Sequence, residues 1–274
     1  MKTNLSLLVL LTCLFIGISS CKKDEDGVSC ELIPFNAFTL DQDKELGMQV
    51  ASEIAADPKS YPILSESRYP ESYAYLRKIR DNILNSGKVT NKSSFDWPVY
   101  IIKDDNTLNA FCTPGGYIYV YTGLIKYLDT EDDLAGVMGH EIAHADKRHS
   151  SKSMTTEYGL NTVLQIFSSG GDSSLVTTIA SQLGTLKYSR CHESEADANS
   201  VLYLSGTSYR CNGAATFFQK LEAQGGSSTP VFLSTHPSPS SRIADINAKA
   251  AEKGCKTTGS TTDAGYAAFK TTLP

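Results

Sequence analysis

Apolar and polar positions along the chain fall into two rhythms. Between Thr39 and Asp57, Leu40, Leu46, Val50 and Ile54 lie near one face of a helical wheel, which predicts a helix. Thr39 suits its cap, and Asp57-Pro58 ends it because proline cannot continue the ladder. From 69 to 87, Tyr73, Leu76, Ile79 and Ile83 share a face, with Pro70 in the first turn and Gly87 as the stop. The rhythm then shortens. "WPVYIIKD" (97–104) is β-branched and aromatic, and 108–125 reads as two short strand runs around Pro114-Gly115-Gly116. A helix follows from Thr130, with Asp133 at the capping-box position and Leu134, Val137, Met138, Ile142 and Ala145 as its buried face. Further helical patterns lie near 175–183, 187–205, 213–224 and 238–252, broken by glycine- and serine-rich loops at 168–174 and 225–230. No internal repeat is present. The pattern predicts an α+β fold: one mostly helical domain with a small sheet or hairpin beside the helix at 130–150.

The N-terminus stands apart from this fold. Lys2 precedes the apolar run "LSLLVLLTCLFIGI" (5–18), which has the length of a signal-peptide core and is short for a membrane span. "ISSC" then ends in Cys21, in the pattern of a bacterial lipobox, so Cys21 is expected to carry a lipid. Lys22 after the cysteine favours the outer membrane of a Gram-negative envelope, on either its periplasmic or its outer face. The expected organisation is a lipoprotein signal at 1–20, a lipidated tether at 21–36, one domain at 37–256 and a C-terminal tail at 257–274. Apolar content of 41% and charged content of 20% are ordinary for a globular chain. A net charge of −5 and the lack of any phosphate-cradling glycine loop argue against nucleic acid or nucleotide as partner. Export permits disulfides. Cys211 and Cys255 bracket the last helical region and form the expected pair, while Cys112 and Cys191 both fall beside candidate site residues.

The chemistry concentrates in "GHEIAHADKRH" (139–149), which holds three of the five histidines. Residues four apart on a helix share a face, so His140 and His144 can each present one ring nitrogen to a single ion. Glu141 is rotated by roughly 100° from His140 and borders that ion without joining the ligand face. Two imidazoles and an adjacent carboxylate able to take a proton from water are the parts of a metallohydrolase. A third ligand is sought in "YSRCHESEADANSV" (188–201), where Glu193 and Asp197 are four apart on another predicted helix. Glu193 is assigned as ligand and Asp197 as acceptor for a histidine's outer nitrogen. By spacing alone His192 and Glu195 compete for the ligand position.

Together, "NAFCTPGGYIYVYTGLI", "LAGVMGHEIAHADKRH", "YSRCHESEADANSV" and "STHPSPSSRIADI" resemble the zinc metalloendopeptidase family of the CAAX prenyl protease and HtpX, in its soluble, exported bacterial branch. The resemblance spans about 105 to 250, in the family's order. It implies one Zn2+ per chain held by His140, His144 and Glu193, with Glu141 as general base and Asp197 as the acid behind the ligands. That settles Glu193 over His192. His236 is implied either to stabilise the oxyanion or to fill the fourth metal position and hold the enzyme latent, and Arg242 either to anchor its segment or to face the oxyanion. The segment with Asn109, Gly115 and Gly116 is implied to be an edge strand along which an extended polypeptide substrate adds. The expected function is hydrolysis of peptide bonds, in misfolded or unassembled envelope proteins; the alternative is a latent, chaperone-like zinc protein of the outer membrane. Cys112 and Cys191 lie within the matched segments, where a disulfide between them would constrain the cleft. The sequence shows no further apolar run of spanning length and no helical-repeat pattern, so the prenylated substrates and repeat-mediated partners of some relatives are not expected here.

Overall fold

Local signals explain the first helices. The structure is a computed structural model and describes residues 35–167, 173–183, 188–224, 231–236, 241–259 and 263–274. The expected signal, Cys21 and most of the loops at 168–174 and 225–230 lie outside the described residues. Helix α1 (Leu40–Ala56) starts at Thr39, whose hydroxyl accepts the Gln42 N–H while the Gln42 side chain accepts the Thr39 N–H. Its Leu46, Val50 and Ile54 are fully buried, each contributing about 1.5–3 kcal/mol. Helix α2 (Pro70–Leu84) buries Tyr73, Leu76, Ile79 and Ile83 as the periodicity predicts.

Strands β1 (Val99–Ile102), β2 (Ala110–Thr113) and β3 (Tyr117–Tyr121) form a sheet of order β1-β3-β2, with β1 parallel and β2 antiparallel to β3. The 108–125 region is therefore the predicted hairpin, except that its end folds as helix α3 (Thr122–Tyr127). The alternation along these strands separates two apolar cores. Val99, Ile101, Ala110, Cys112, Ile118 and Val120 join the main core, whereas Ile102, Phe111, Tyr119 and Tyr121 join a second core with α1. A sheet covered on both faces needs no polar face. The turn Pro114–Gly116 is buried under α1: Gly115 and Gly116 have φ of 76° and 82°, and a Cβ on Gly116 would lie 2.9 Å from the Trp97 ring.

Helix α4 (Glu131–Asp146) runs through the centre and every one of its residues is buried. Thr130 and Asp133 cap it reciprocally, at 3.2 and 3.1 Å. After α4 the chain turns at Arg148, whose φ is +61°, into helix α5 (His149–Ile166), an element that the hydrophobic pattern does not announce. Helices α6 (Ser173–Leu183), α7 (Arg190–Leu204) and α8 (Gly213–Gln224) match the remaining patterns. α4 packs on α7 and α8 on one side and on β2 on the other. A short helix α9 (Val231–Thr235) lies where the sequence suggests only loop, and α10 (Arg242–Lys253) ends at Gly254 in the left-handed region. The segment expected as a tail contains helix α11 (Asp263–Thr271), because Tyr266 and Phe269 find room in the main core beside α2.

Cys211 and Cys255 are joined, closing 44 residues and contributing about 4 kcal/mol through loop-closure entropy. Cys112 is a free, buried thiol and Cys191 is disulfide-bonded, so the two are not paired with each other. The cleft is not constrained by the bridge that sequence proximity suggested. Among the described residues no helix is long and apolar enough to cross a membrane.

Candidate metal centre

Three elements bring four side chains to one point. α4 supplies His140 and His144 from adjacent turns, α7 supplies Glu193 from its first turn, and His236 follows the last turn of α9. One ligand atom from each lies within 4.8 Å of all the others, and all four side chains are buried. The Nε2 atoms of His140 and His144 approach to 2.9 Å, and Nδ1 of His236 lies 3.3 Å from Nε2 of His140. The Glu193 carboxylate spans the cluster: Oε1 is 3.4 Å from His144 Nε2 and 3.1 Å from His236 Nδ1, and Oε2 is 3.4 Å from His140 Nε2.

The groups behind these atoms fix their orientation. His140 Nδ1 lies 2.8 Å from Asp197 Oδ1, so the ring donates outward and presents its Nε2 lone pair inward. The Arg242 guanidinium grips Asp197 with two bonds of 2.6 and 2.7 Å and reaches Glu193 Oε2 at 3.1 Å. It also lies over the Phe218 ring, 4.1 Å from its centre, so this buried cation is committed to anchoring. Burial alone would raise the Asp197 carboxyl, but the Arg242 charge and the His140 bond hold it below its usual range. Glu193 is likewise held well below its usual range: burial opposes ionisation, and the three surrounding imidazoles outweigh it. Burial keeps His144 neutral, against the pull of Glu193.

Glu141 sits beside this cluster in a different state. It is fully buried and, among the described residues, neither carboxylate oxygen has a hydrogen-bond partner and the nearest ring nitrogen is His236 Nε2, 3.6 Å away. Burial pushes its carboxyl up to about 8, with His236 opposing and Glu193 adding to the rise. A carboxyl poised near neutrality and aimed at a cluster of metal-type donors is placed for proton transfer.

Three imidazole nitrogens and one carboxylate oxygen, two of the rings being four apart on a helix, are donor chemistry that fits zinc. The competitors at spacing level are turned away. His192 stacks on His149 at 4.4 Å, and Glu195 bonds His149 Nε2 at 3.1 Å. Asn109, just before β2, is buried with its side-chain oxygen unpartnered among the described residues, whereas Gly115 and Gly116 are packed into the turn under α1. Sequence reading overlooked several neighbours. Tyr188 stacks on the His144 ring at 3.9 Å, and Phe232 stacks on His236 at 4.4 Å. α9 is stitched down from both sides: the Phe232 N–H donates to the Leu108 carbonyl at 3.1 Å, and the Tyr188 N–H to the Thr235 carbonyl at 3.4 Å. No local periodicity marks these contacts, because they join segments far apart in the chain.

Comparison with known proteins agrees with this geometry. Residues 70–250 match the model of peptidase family M48. The mitochondrial metalloendopeptidase OMA1 of Schizosaccharomyces pombe is 28% identical over 77% of this chain and 62% of its own length. The beta-barrel assembly-enhancing protease of Escherichia coli is 30% identical over 62% of this chain and 38% of its own. Metalloprotease LoiP of E. coli is 30% identical over 81% of this chain and 86% of its own. The chain thus spans less than two thirds of the length of the first two and most of the third. With more than half its length under the family model and its buried His-Glu-x-x-His helix facing Glu193, the chain belongs to peptidase family M48, a family of zinc metallopeptidases.

Proposed function

We propose that this chain is a zinc-dependent metalloendopeptidase whose metal is held by His140, His144 and Glu193. The observation that carries the reading is the convergence of those three side chains beside the buried Glu141, whose carboxylate has no hydrogen-bond partner among the described residues. When bound there, zinc supplies Lewis-acid polarisation of the scissile carbonyl and acidifies a water. Glu141 takes the proton from the attacking water, and the raised affinity of its carboxyl for a proton suits that role. The same carboxyl then delivers the proton to the leaving amine. Asp197 and Arg242 keep His140 and Glu193 in register while charge moves.

β2 is one of the two edge strands of the sheet and packs beside α4, which supports an extended substrate adding along it, with Asn109 as a side-chain contact. The turn glycines Gly115 and Gly116, packed close against α1 and the Trp97 ring, support that edge. Misfolded or unassembled envelope proteins are the substrate class, a reading supported by relatives named beta-barrel assembly-enhancing proteases. The apolar leader and Cys21 support reading the chain as a lipid-anchored protein of a Gram-negative outer membrane.

A specific observation favours a latent resting state as well. His236 completes a four-donor set, and His140, His144, Glu193 and His236 are each at most 1% exposed. A catalytic zinc site keeps one position open. His236 and α9 therefore close the site until they move aside. The experiment compares casein cleavage and bound zinc in wild type, Glu141→Gln and His236→Ala. Glu141→Gln should keep zinc and lose cleavage; cleavage at the wild-type rate would remove Glu141 from the mechanism. His236→Ala should cleave faster than wild type if the closed state is latent, and slower if His236 holds the oxyanion.

A further inference from the structure

His144 has an outer nitrogen, Nδ1, as well as an inner one, and among the described residues no carboxylate meets that outer nitrogen directly. Its Nδ1 lies 2.9 Å from Nδ1 of His149, and Nε2 of His149 lies 3.1 Å from Oε2 of Glu195. Only one proton arrangement serves every group. If His144 turns its Nε2 lone pair inward, Nδ1 carries the proton and donates it. His149 Nδ1 must then accept, so the His149 proton sits on Nε2 and is donated to Glu195. A neutral imidazole provides one donor and one acceptor, and both are used.

We propose that His149 and Glu195 are positioning residues for His144: a carboxylate acting through an interposed imidazole, parallel to the arm in which Asp197 orients His140 directly. The proposal rests on His144 being a metal ligand, as argued above. Two independent features support it. His149 is fully buried, and its ring is held face to face with His192, with centres 4.4 Å apart and planes 14° apart. The residue before it, Arg148, is one of only two non-glycine residues with positive φ among those described. Arg148 is tied there by the Asp43 carboxylate and by the Phe38 carbonyl. That left-handed residue reverses the chain between α4 and α5 and returns His149 to the ring five residues earlier.

The two arms differ in kind. Asp197 is buried and balanced by Arg242, whereas the Glu195 side chain is 30% exposed. Replacing Glu195 therefore disturbs the arm at its surface end without opening the core.

The test is zinc affinity by competition with a chromophoric chelator, together with the visible spectrum of the cobalt-substituted protein. Partners of ligating histidines typically contribute 10–100-fold in metal affinity. His149→Phe keeps a flat ring but removes the acceptor, and should weaken zinc by about 10–100-fold and shift the cobalt bands. His149→Gln, whose side-chain oxygen accepts, should recover most of that loss. Glu195→Ala should weaken zinc by about threefold or more. A folded His149→Phe that binds zinc within twofold of wild type, with an unchanged cobalt spectrum, overturns the proposal. If His149→Phe does not fold, Glu195→Ala decides: unchanged affinity overturns it. His144→Ala separates the two levels, because retention of wild-type affinity there refutes the ligand assignment itself.

Discussion

Asp197 and His140 meet across 2.8 Å, carboxylate Oδ1 to ring Nδ1, and this contact ties the first turns of α7 to the second half of α4. The same carboxylate is gripped by Arg242 from α10, so one acid links three helices at the metal group. Asp197→Asn should lower zinc affinity by about 10–100-fold, because the amide accepts more weakly from His140 and leaves the buried guanidinium leaning on Glu193. Chelator competition measures this. An Asp197→Asn variant with wild-type affinity would mean that Asp197 does not orient the ring.

The α4–α8 contact is a packing constraint with a sharp steric signature. A Cβ on Gly136 would lie 2.1 Å from the Ala214 nitrogen and 2.4 Å from the Gly213 carbonyl carbon. These are backbone atoms and cannot turn aside. Gly136→Ala should cost about 1–3 kcal/mol or more by forcing the helices apart. The shift in urea midpoint reads the loss, and a midpoint equal to wild type would show that the helices can separate freely.

Arg148 offers a comparison between two substitutions. Both Arg148→Ala and Arg148→Gly remove the ion pair with Asp43, but only glycine accepts a φ of +61° without strain. The glycine variant should therefore be the more stable by about 1 kcal/mol. Equal stabilities would indicate that the junction relaxes out of the left-handed region once the side chain is gone.

Asp43 gives the pH dependence. Burial raises its carboxyl above 3.8, and Arg148 only partly offsets the rise. The folded chain thus holds a proton where the unfolded chain has released it. The stability so contributed is fully present below 3.8 and is lost as pH rises through the raised value. Asp43→Asn stays neutral at all pH and lacks this loss. The stability of the variant relative to wild type should improve as pH rises from about 3.5 to 6. Urea unfolding at several pH values tests it, and a constant or opposite difference contradicts the assignment.

Much of the site was legible because its chemistry is local. The four-residue spacing of His140 and His144 and the Thr130 cap depend only on helix geometry, and α4 meets both expectations. Glu193, His192 and Glu195 were inseparable by spacing, since all three sit within one turn of α7. Packing separated them: the chain reversal at Arg148 puts His149 against His144, and His149 draws both Glu195 and the His192 ring to itself. α5, α9 and α11 were not foreseen because their helical periodicity is weak or their length short. Tyr266, Phe269 and Phe232 become core residues only where distant elements leave space for them.

The sequence alone determined the local elements: where α1, α2 and α4 begin, the three-strand character of 97–121, and the pairing of two histidines with a glutamate on one rod, although α4 ends at Asp146, short of the expected 150. Caps, proline stops and residue spacing act within a few residues, so no partner segment is needed to read them. Only the tertiary structure decided that His149 draws Glu195 and the His192 ring aside and that Cys112 stays a free thiol; it also brought Glu193 and His236 into one donor group with those histidines and joined the expected pair Cys211 and Cys255. Those outcomes depend on distances between segments 40 to 100 residues apart, which packing of the whole core sets and no local pattern encodes.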